Sequence, residues 1–123
     1  MNVVVSLLIS LFITTQSLMA YQDKEIIHQF EALVLEKRQH FLKLRDKAAI
    51  QIKDKKFFSA LIHLRDAETI FKNDAHLFFL RGYCYANILC YEDAISNYKK
   101  ALSLNPRDIP ALMNLIELFY FQK

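Results

Sequence analysis

Small and aromatic side chains recur along this chain at a period of 34 residues, and this period constrains the fold more than any other feature. In the clearest unit, small side chains stand at Gly82, Ala94 and Ala101, and aromatic rings stand at Tyr85 and Tyr98. Ala94, Tyr98 and Ala101 are spaced i, i+4 and i+7, so they form one stripe on one helix. Small residues let two antiparallel helices approach closely, and the rings fill the remaining space. The pattern therefore predicts repeated pairs of packed helices.

Residues that break helices are scarce. The 123 residues include one glycine and two prolines, and 54% of them are hydrophobic. This composition argues against strands joined by tight turns and favours long helices with short links. We therefore expect an all-α protein, with a helical domain at residues 21–123 behind a separate segment at residues 1–20.

The unit at residues 75–108 resembles the tetratricopeptide repeat. Seven positions match that family's pattern of large, small and aromatic residues and proline, namely Phe78, Gly82, Tyr85, Ala94, Tyr98, Ala101 and Pro106. Residues 41–74 repeat the pattern in register but less faithfully, and residues 109–123 supply only the first helix of a third unit. The resemblance implies antiparallel helix pairs stacked as a short superhelix.

Residues 23–36 fit two arrangements. Ile26, Phe30 and Leu33 stand two periods before the stripe of the clearest unit, which favours the second helix of a pair whose partner is replaced by the N-terminal segment. The alternative is one long helix reaching to about Asp54, because neither glycine nor proline interrupts it.

The first twenty residues carry no ionisable side chain and include an apolar run at residues 3–13. This run is short for a membrane span but fits a secretory signal, with Ala20 as the small residue at the cleavage point. No Lys or Arg precedes the run, and Leu18 stands where a small residue is usual. A cleaved signal, an uncleaved anchor over residues 3–20 and a buried cytoplasmic helix all stay open. We expect an exported protein, periplasmic or secreted, or one anchored in a membrane by its N-terminus, with a cytoplasmic location as the alternative.

The family resemblance also implies a binding groove, lined by the first helix of each unit. Its groove-facing positions fall on His76, Phe79, Tyr83, Ala86 and Asn87 in the central unit and on Arg45, Ile52 and Lys53 in the unit before it. Aromatic anchors beside polar and charged groups suit a peptide or protein partner. The alternative is that the rings only pack on a neighbouring helix. The carboxylate clamp of chaperone-binding members is not supported, because Ala49 and Leu80 stand where it needs Asn.

Two further surfaces bear on partners. Residues 37–56 hold eight basic and two acidic side chains, but this belt lacks regularly spaced aromatic residues, so no nucleic acid is expected as a partner. Membrane contact is expected only if the N-terminal segment stays uncleaved. Residues 112–121 are apolar on nearly every side, which predicts self-association or a partner protein there. An incomplete chain is the alternative explanation.

The sequence offers no arrangement for catalysis. Its four histidines are 12, 23 and 13 residues apart, so no pair could hold a metal on one helix face. One glycine cannot form a phosphate-binding loop. Cys84 and Cys90 are interpreted as small core residues. We therefore predict a protein that is not an enzyme and needs no cofactor or metal.

Two functional hypotheses follow from these observations. The first is a non-catalytic, exported or anchored adaptor that binds a peptide or protein in the concave groove. The second is a cytoplasmic secretion chaperone of the type III translocator-chaperone kind, because Phe78 to Cys84 loosely resembles the corresponding stretch of those proteins.

Overall fold

A computed structural model describes residues 2–122 of the chain, and within this range the secondary structure is entirely helical. The five helices are α1 (Asn2–Lys53), α2 (Phe57–Ile70), α3 (Ala75–Asn87), α4 (Tyr91–Leu104) and α5 (Ile109–Phe121). The prediction of an all-α protein is confirmed.

The chain divides between Glu36 and Lys37 into two compact units. Helix α1 is continuous, so the alternative of one long helix describes residues 23–53. The side chains of residues 2–36 are all exposed. By length and composition α1 is able to cross a membrane, although a signal sequence satisfies the same criteria. The boundary at residue 20 stays a prediction.

Helices α3 and α4 form a closely packed pair in the second unit. A Cβ atom added to Gly82 would lie 2.8 Å from two carbons of the Tyr98 ring, so the helices meet where glycine leaves room. The stripe of Ala94, Tyr98 and Ala101 is buried, with at most 1% of any of these side chains exposed. The predicted packing of small residues against an aromatic ring is therefore present.

The preceding pair joins the end of α1 to α2. Ala48, Ala60 and Ala67 are all fully buried, as the repeat pattern requires. Gln51 stands where the pattern has an aromatic residue, and its Oε1 lies 2.8 Å from Nδ1 of His63 on α2. A polar contact between the helices thus takes the place of an aromatic one.

Side chains next to the helices fix where α3 and α5 begin. Asp74 accepts a hydrogen bond from the Leu77 amide at 2.7 Å, and Asp108 accepts one from the Ala111 amide at 3.1 Å. Each carboxylate satisfies a backbone donor that the first turn of a helix leaves free. Pro110 suits the first turn of α5, since its missing N–H is not needed there.

Cysteine placement differs from the prediction in one respect. Cys84 is buried, as expected, but Cys90 is exposed and precedes the first residue of α4. The prediction for Cys90 is wrong because α3 ends between the two residues. Leu89 turns the chain there with a φ of 65°.

Candidate functional site

One cavity of the second unit lies between the end of α1, the start of α2 and the face of α3. Its volume is about 480 Å³. It is lined by Ile52, Lys53, Lys55, Phe57, Phe79, Leu80, Tyr83 and Asn87. Five of the eight residues predicted for the groove are in this set, which places side chains of two successive repeat units around one space.

A second cavity, of about 270 Å³, lies between α3, α4 and α5. It is lined by Tyr83, Ala86, Asn87, Tyr91, Tyr98, Asn114, Glu117, Leu118 and Phe121. Tyr83 and Asn87 line both cavities, so the two spaces adjoin along one face of α3. We refer to the two cavities together as the groove.

Tyr83 is the aromatic residue at the junction of the two cavities. Its side chain is 39% exposed, and its ring centroid lies 6.5 Å from that of Phe57. Asn87, one turn later on α3, donates from Nδ2 to the Tyr83 carbonyl oxygen at 2.8 Å. A rigid ring with an open face and a held amide next to it is the arrangement expected of a binding anchor.

Phe79 stands one turn before Tyr83 and is more enclosed. Its ring centroid lies 5.9 Å from that of Tyr98 and 6.0 Å from that of His76, whose ring is nearly parallel to it. Phe79 therefore contributes to packing between α3 and α4 as well as to the wall of the groove. The surroundings of Phe79 thus agree in part with a groove position and in part with packing on a neighbouring helix.

Arg45 and His76 line neither cavity. The Arg45 guanidinium lies 3.5 Å from the Asp74 carboxylate and 5.8 Å from the centroid of the Phe41 ring. Burial of the His76 ring lowers its pKa below 6.5, and the nearby Arg45 charge lowers it further, whereas the Asp74 carboxylate opposes both effects. The contacts of Arg45 hold it next to Asp74, the residue before α3.

The groove also includes residues that the sequence did not identify: Lys55, Phe57, Tyr91, Asn114, Glu117 and Phe121. The repeat pattern assigns groove positions to the first helix of a unit, whereas Lys55 lies in a turn and Tyr91 on a second helix. Lys55 has a φ of 58°, the left-handed conformation, which reverses the chain between α1 and α2. Glu117 and Phe121 stand one period of 34 residues after Tyr83 and Asn87, so extending the pattern to the third unit would have found them. Asn114 does not correspond to a predicted groove position.

Tyr98 is an ionisable residue of the groove whose side chain is buried. Burial raises the pKa of Tyr98 to about 12, and its hydroxyl accepts a hydrogen bond from Asn114 at 3.2 Å. Within residues 2–122, no group of three or more His, Cys, Asp or Glu side chains could hold a metal ion. What the groove offers is apolar and aromatic surface with amide and charged groups at its edge.

Antiparallel helix pairs that pack in series around a shared groove define a helical-repeat protein. Residues 75–108 match the family described as tetratricopeptide repeat, so this stretch is a tetratricopeptide repeat. No curated protein matches the chain in sequence.

The fold is similar to that of the first TPR of Spaghetti (RPAP3), solved bound to the HSP90 peptide SRMEEVD. The two chains are 20% identical with a TM-score of 0.65, and the match covers 67% of this chain and 65% of the other. The chain thus spans about two thirds of the length of that structure, and the likeness shows that the two have similar helical folds.

Proposed function

We propose that this chain is a protein-interaction module that holds a peptide segment of a partner protein in the groove. The observation that carries the proposal is Tyr83, an aromatic side chain left 39% exposed at the junction of two cavities. At interfaces, aromatic side chains supply much of the binding energy. The related structure, whose TPR is bound to a peptide, supports the same function.

The peptide bound in that structure is not itself proposed as the ligand. Ala49 and Leu80 stand where a carboxylate clamp needs Asn, and Leu80 lines the first cavity as an apolar residue. A partner segment therefore meets an apolar side chain at this position instead of a carboxylate clamp. Nothing in the comparisons favours the secretion-chaperone alternative.

We further propose that residues 3–20 export the chain or anchor it in a membrane. Eighteen helical residues extend about 27 Å at about 1.5 Å per residue. That length is close to the hydrocarbon thickness of a bilayer, about 30 Å. N-terminal sequencing of the mature protein, together with alkaline extraction of membranes, separates the alternatives. A chain that starts near Tyr21 indicates a cleaved signal. An intact chain that resists extraction indicates an anchor, and an intact soluble chain indicates neither.

The groove is tested with two matched baits. Full chains carrying Tyr83→Ala or Phe58→Ala are compared with the unchanged chain in affinity isolation from the native source. Phe58 is a suitable control because it is 70% exposed on α2 and lines neither cavity. We expect partners held by the unchanged chain and by Phe58→Ala to be lost with Tyr83→Ala, while circular dichroism shows all three equally helical. Partners retained by the Tyr83→Ala bait contradict the groove assignment.

A further inference from the structure

The two ends of the groove carry opposite charges. Lys53 and Lys55 line the first cavity, whereas Glu117 is the one charged side chain lining the second among the described residues. All three are exposed. Tyr83 and Asn87, which line both cavities, carry no charge. The groove therefore runs from a basic end at the turn between α1 and α2, past an aromatic middle, to an acidic end on α5.

Lys53, Lys55 and Glu117 form no ion pair within the described part of the chain. The ion pairs within residues 2–122 join Arg45 to Asp74, Arg65 to Asp66 and Arg81 to Glu68. None of them includes a charge of the groove. Lys53 lies in the last turn of α1, where a positive charge interacts favourably with the helix dipole. Lys55 lies in the turn after α1, so the helix dipole does not account for the lysine at that position. Charges at an interface that are not paired within the chain act mainly on partner choice and orientation.

We infer that the groove selects a partner segment with acidic residues at one end, apolar residues in the middle and basic residues at the other end. This inference rests on the proposed function and adds to it the charge pattern of the ligand. A segment with one sign of charge throughout would meet attraction at one cavity and repulsion at the other. The mixed segment meets attraction at both and is held in one direction.

Three labelled peptides with the same apolar centre test the inference in fluorescence anisotropy with the full chain in nonionic detergent. They are Glu-Glu-Leu-Phe-Ala-Lys-Lys, Glu-Glu-Leu-Phe-Ala-Glu-Glu and Lys-Lys-Leu-Phe-Ala-Lys-Lys. The chain has a net charge of +3, so attraction without site selection would favour the acidic peptide. We expect instead that the mixed peptide, which has no net charge, binds about threefold to tenfold tighter than either of the others. Raising the salt from about 50 mM to about 300 mM should reduce that preference.

Charge changes at each end should exchange the preference. With Glu117→Lys both ends are basic, and the acidic peptide becomes the tightest ligand. With Lys53→Glu combined with Lys55→Asn both ends are acidic, and the basic peptide becomes the tightest ligand. Asparagine is chosen for position 55 because it tolerates a positive φ. Lys72→Glu serves as the control, since Lys72 is exposed and lines neither cavity, and it should leave the order of the three peptides unchanged.

The outcomes separate this inference from the proposed function. If the three peptides bind alike, or if the charge variants leave their order unchanged, the inference is overturned. Loss of that binding in Tyr83→Ala would still support the groove. If none of the peptides binds and the Tyr83→Ala bait still holds its partners, both ideas fail. A change of oligomeric state in the charge variants, without any exchange of preference, would indicate that a second copy covers the groove. That result also overturns the inference.

Discussion

Substitution of the single glycine tests the central contact of the fold. Gly82→Ala adds a methyl group whose carbon would lie 2.8 Å from Cδ1 and Cε1 of the Tyr98 ring and 3.1 Å from its Cγ. These distances are below van der Waals contact, and the ring cannot withdraw easily because only 1% of Tyr98 is exposed. Either α3 and α4 must separate or the ring must leave its rotamer.

Two effects of opposite sign act on the free energy of unfolding. Replacing glycine by alanine inside a helix stabilises it by about 1 kcal/mol. Overpacking a filled core costs about 1–3 kcal/mol. The single substitution should therefore be neutral or destabilise by up to about 2 kcal/mol. In the Tyr98→Leu background, where the methyl groups can rotate away, the same change should be stabilising. The propensity term cancels between the two backgrounds, so the coupling energy equals the overpacking term, about 1–3 kcal/mol.

Urea unfolding of the full chain in nonionic detergent, followed by far-ultraviolet circular dichroism, gives the four free energies of this cycle. A second cycle with Tyr98→Phe is the control, because phenylalanine keeps the ring and loses only the hydroxyl that Asn114 contacts. The coupling in the control should be close to zero. A coupling below about 0.5 kcal/mol in the leucine cycle would refute the argument, since sites that do not touch are additive within that limit.

The remaining predictions concern single groups. Iodoacetamide should modify exposed Cys90 in the folded chain and spare Cys84, because burial raises the pKa of the Cys84 thiol to about 12; peptide mass spectrometry that finds both modified would contradict this. Titration by NMR should give His76 a pKa below 6.5, and this pKa should rise in Arg45→Gln. Because the folded-state pKa is lowered, His76 adds a small stabilisation that is complete above pH 6.5 and is lost as the pH falls through the folded-state pKa. An unchanged pKa in the variant would exclude the Arg45 effect. Ile116→Lys should weaken the self-association predicted for residues 112–121, and sedimentation velocity showing the same oligomer would rule out that face.

The helix pairs could be predicted from the sequence because their packing requires particular residue sizes at particular positions. A close approach needs a small residue on one helix and fixes a large one opposite, as at Gly82 and Tyr98. That requirement repeats with each unit, so it becomes visible as a period. The start of α1 offered less to reason from, because the side chains of residues 2–36 are exposed and no glycine or proline interrupts them. The sequence could not decide there between two helices and one.

Positions outside the period were the ones missed. Cys90 was expected in the core from its residue type, but the turn at Leu89 places it at the start of α4. Burial follows from where a helix begins, and a boundary shift of a few residues is enough to move a side chain from core to surface. Arg81, to which no role was assigned from the sequence, pairs in the structure with Glu68 on α2.

The groove was predictable where one helix lines it and unpredictable where several elements meet. Tyr83 and Asn87 follow from the periodicity of α3 alone, whereas the basic end depends on the turn after α1. Lys55 lines the first cavity because the chain reverses there with a φ of 58°. Lysine rarely adopts this conformation, and the neighbouring residues in the sequence do not predict it. The charge polarity of the groove is thus a property of a turn and of the packing of α5. Sequence periodicity locates the apolar middle of the ligand site, and tertiary structure sets the charges at its two ends.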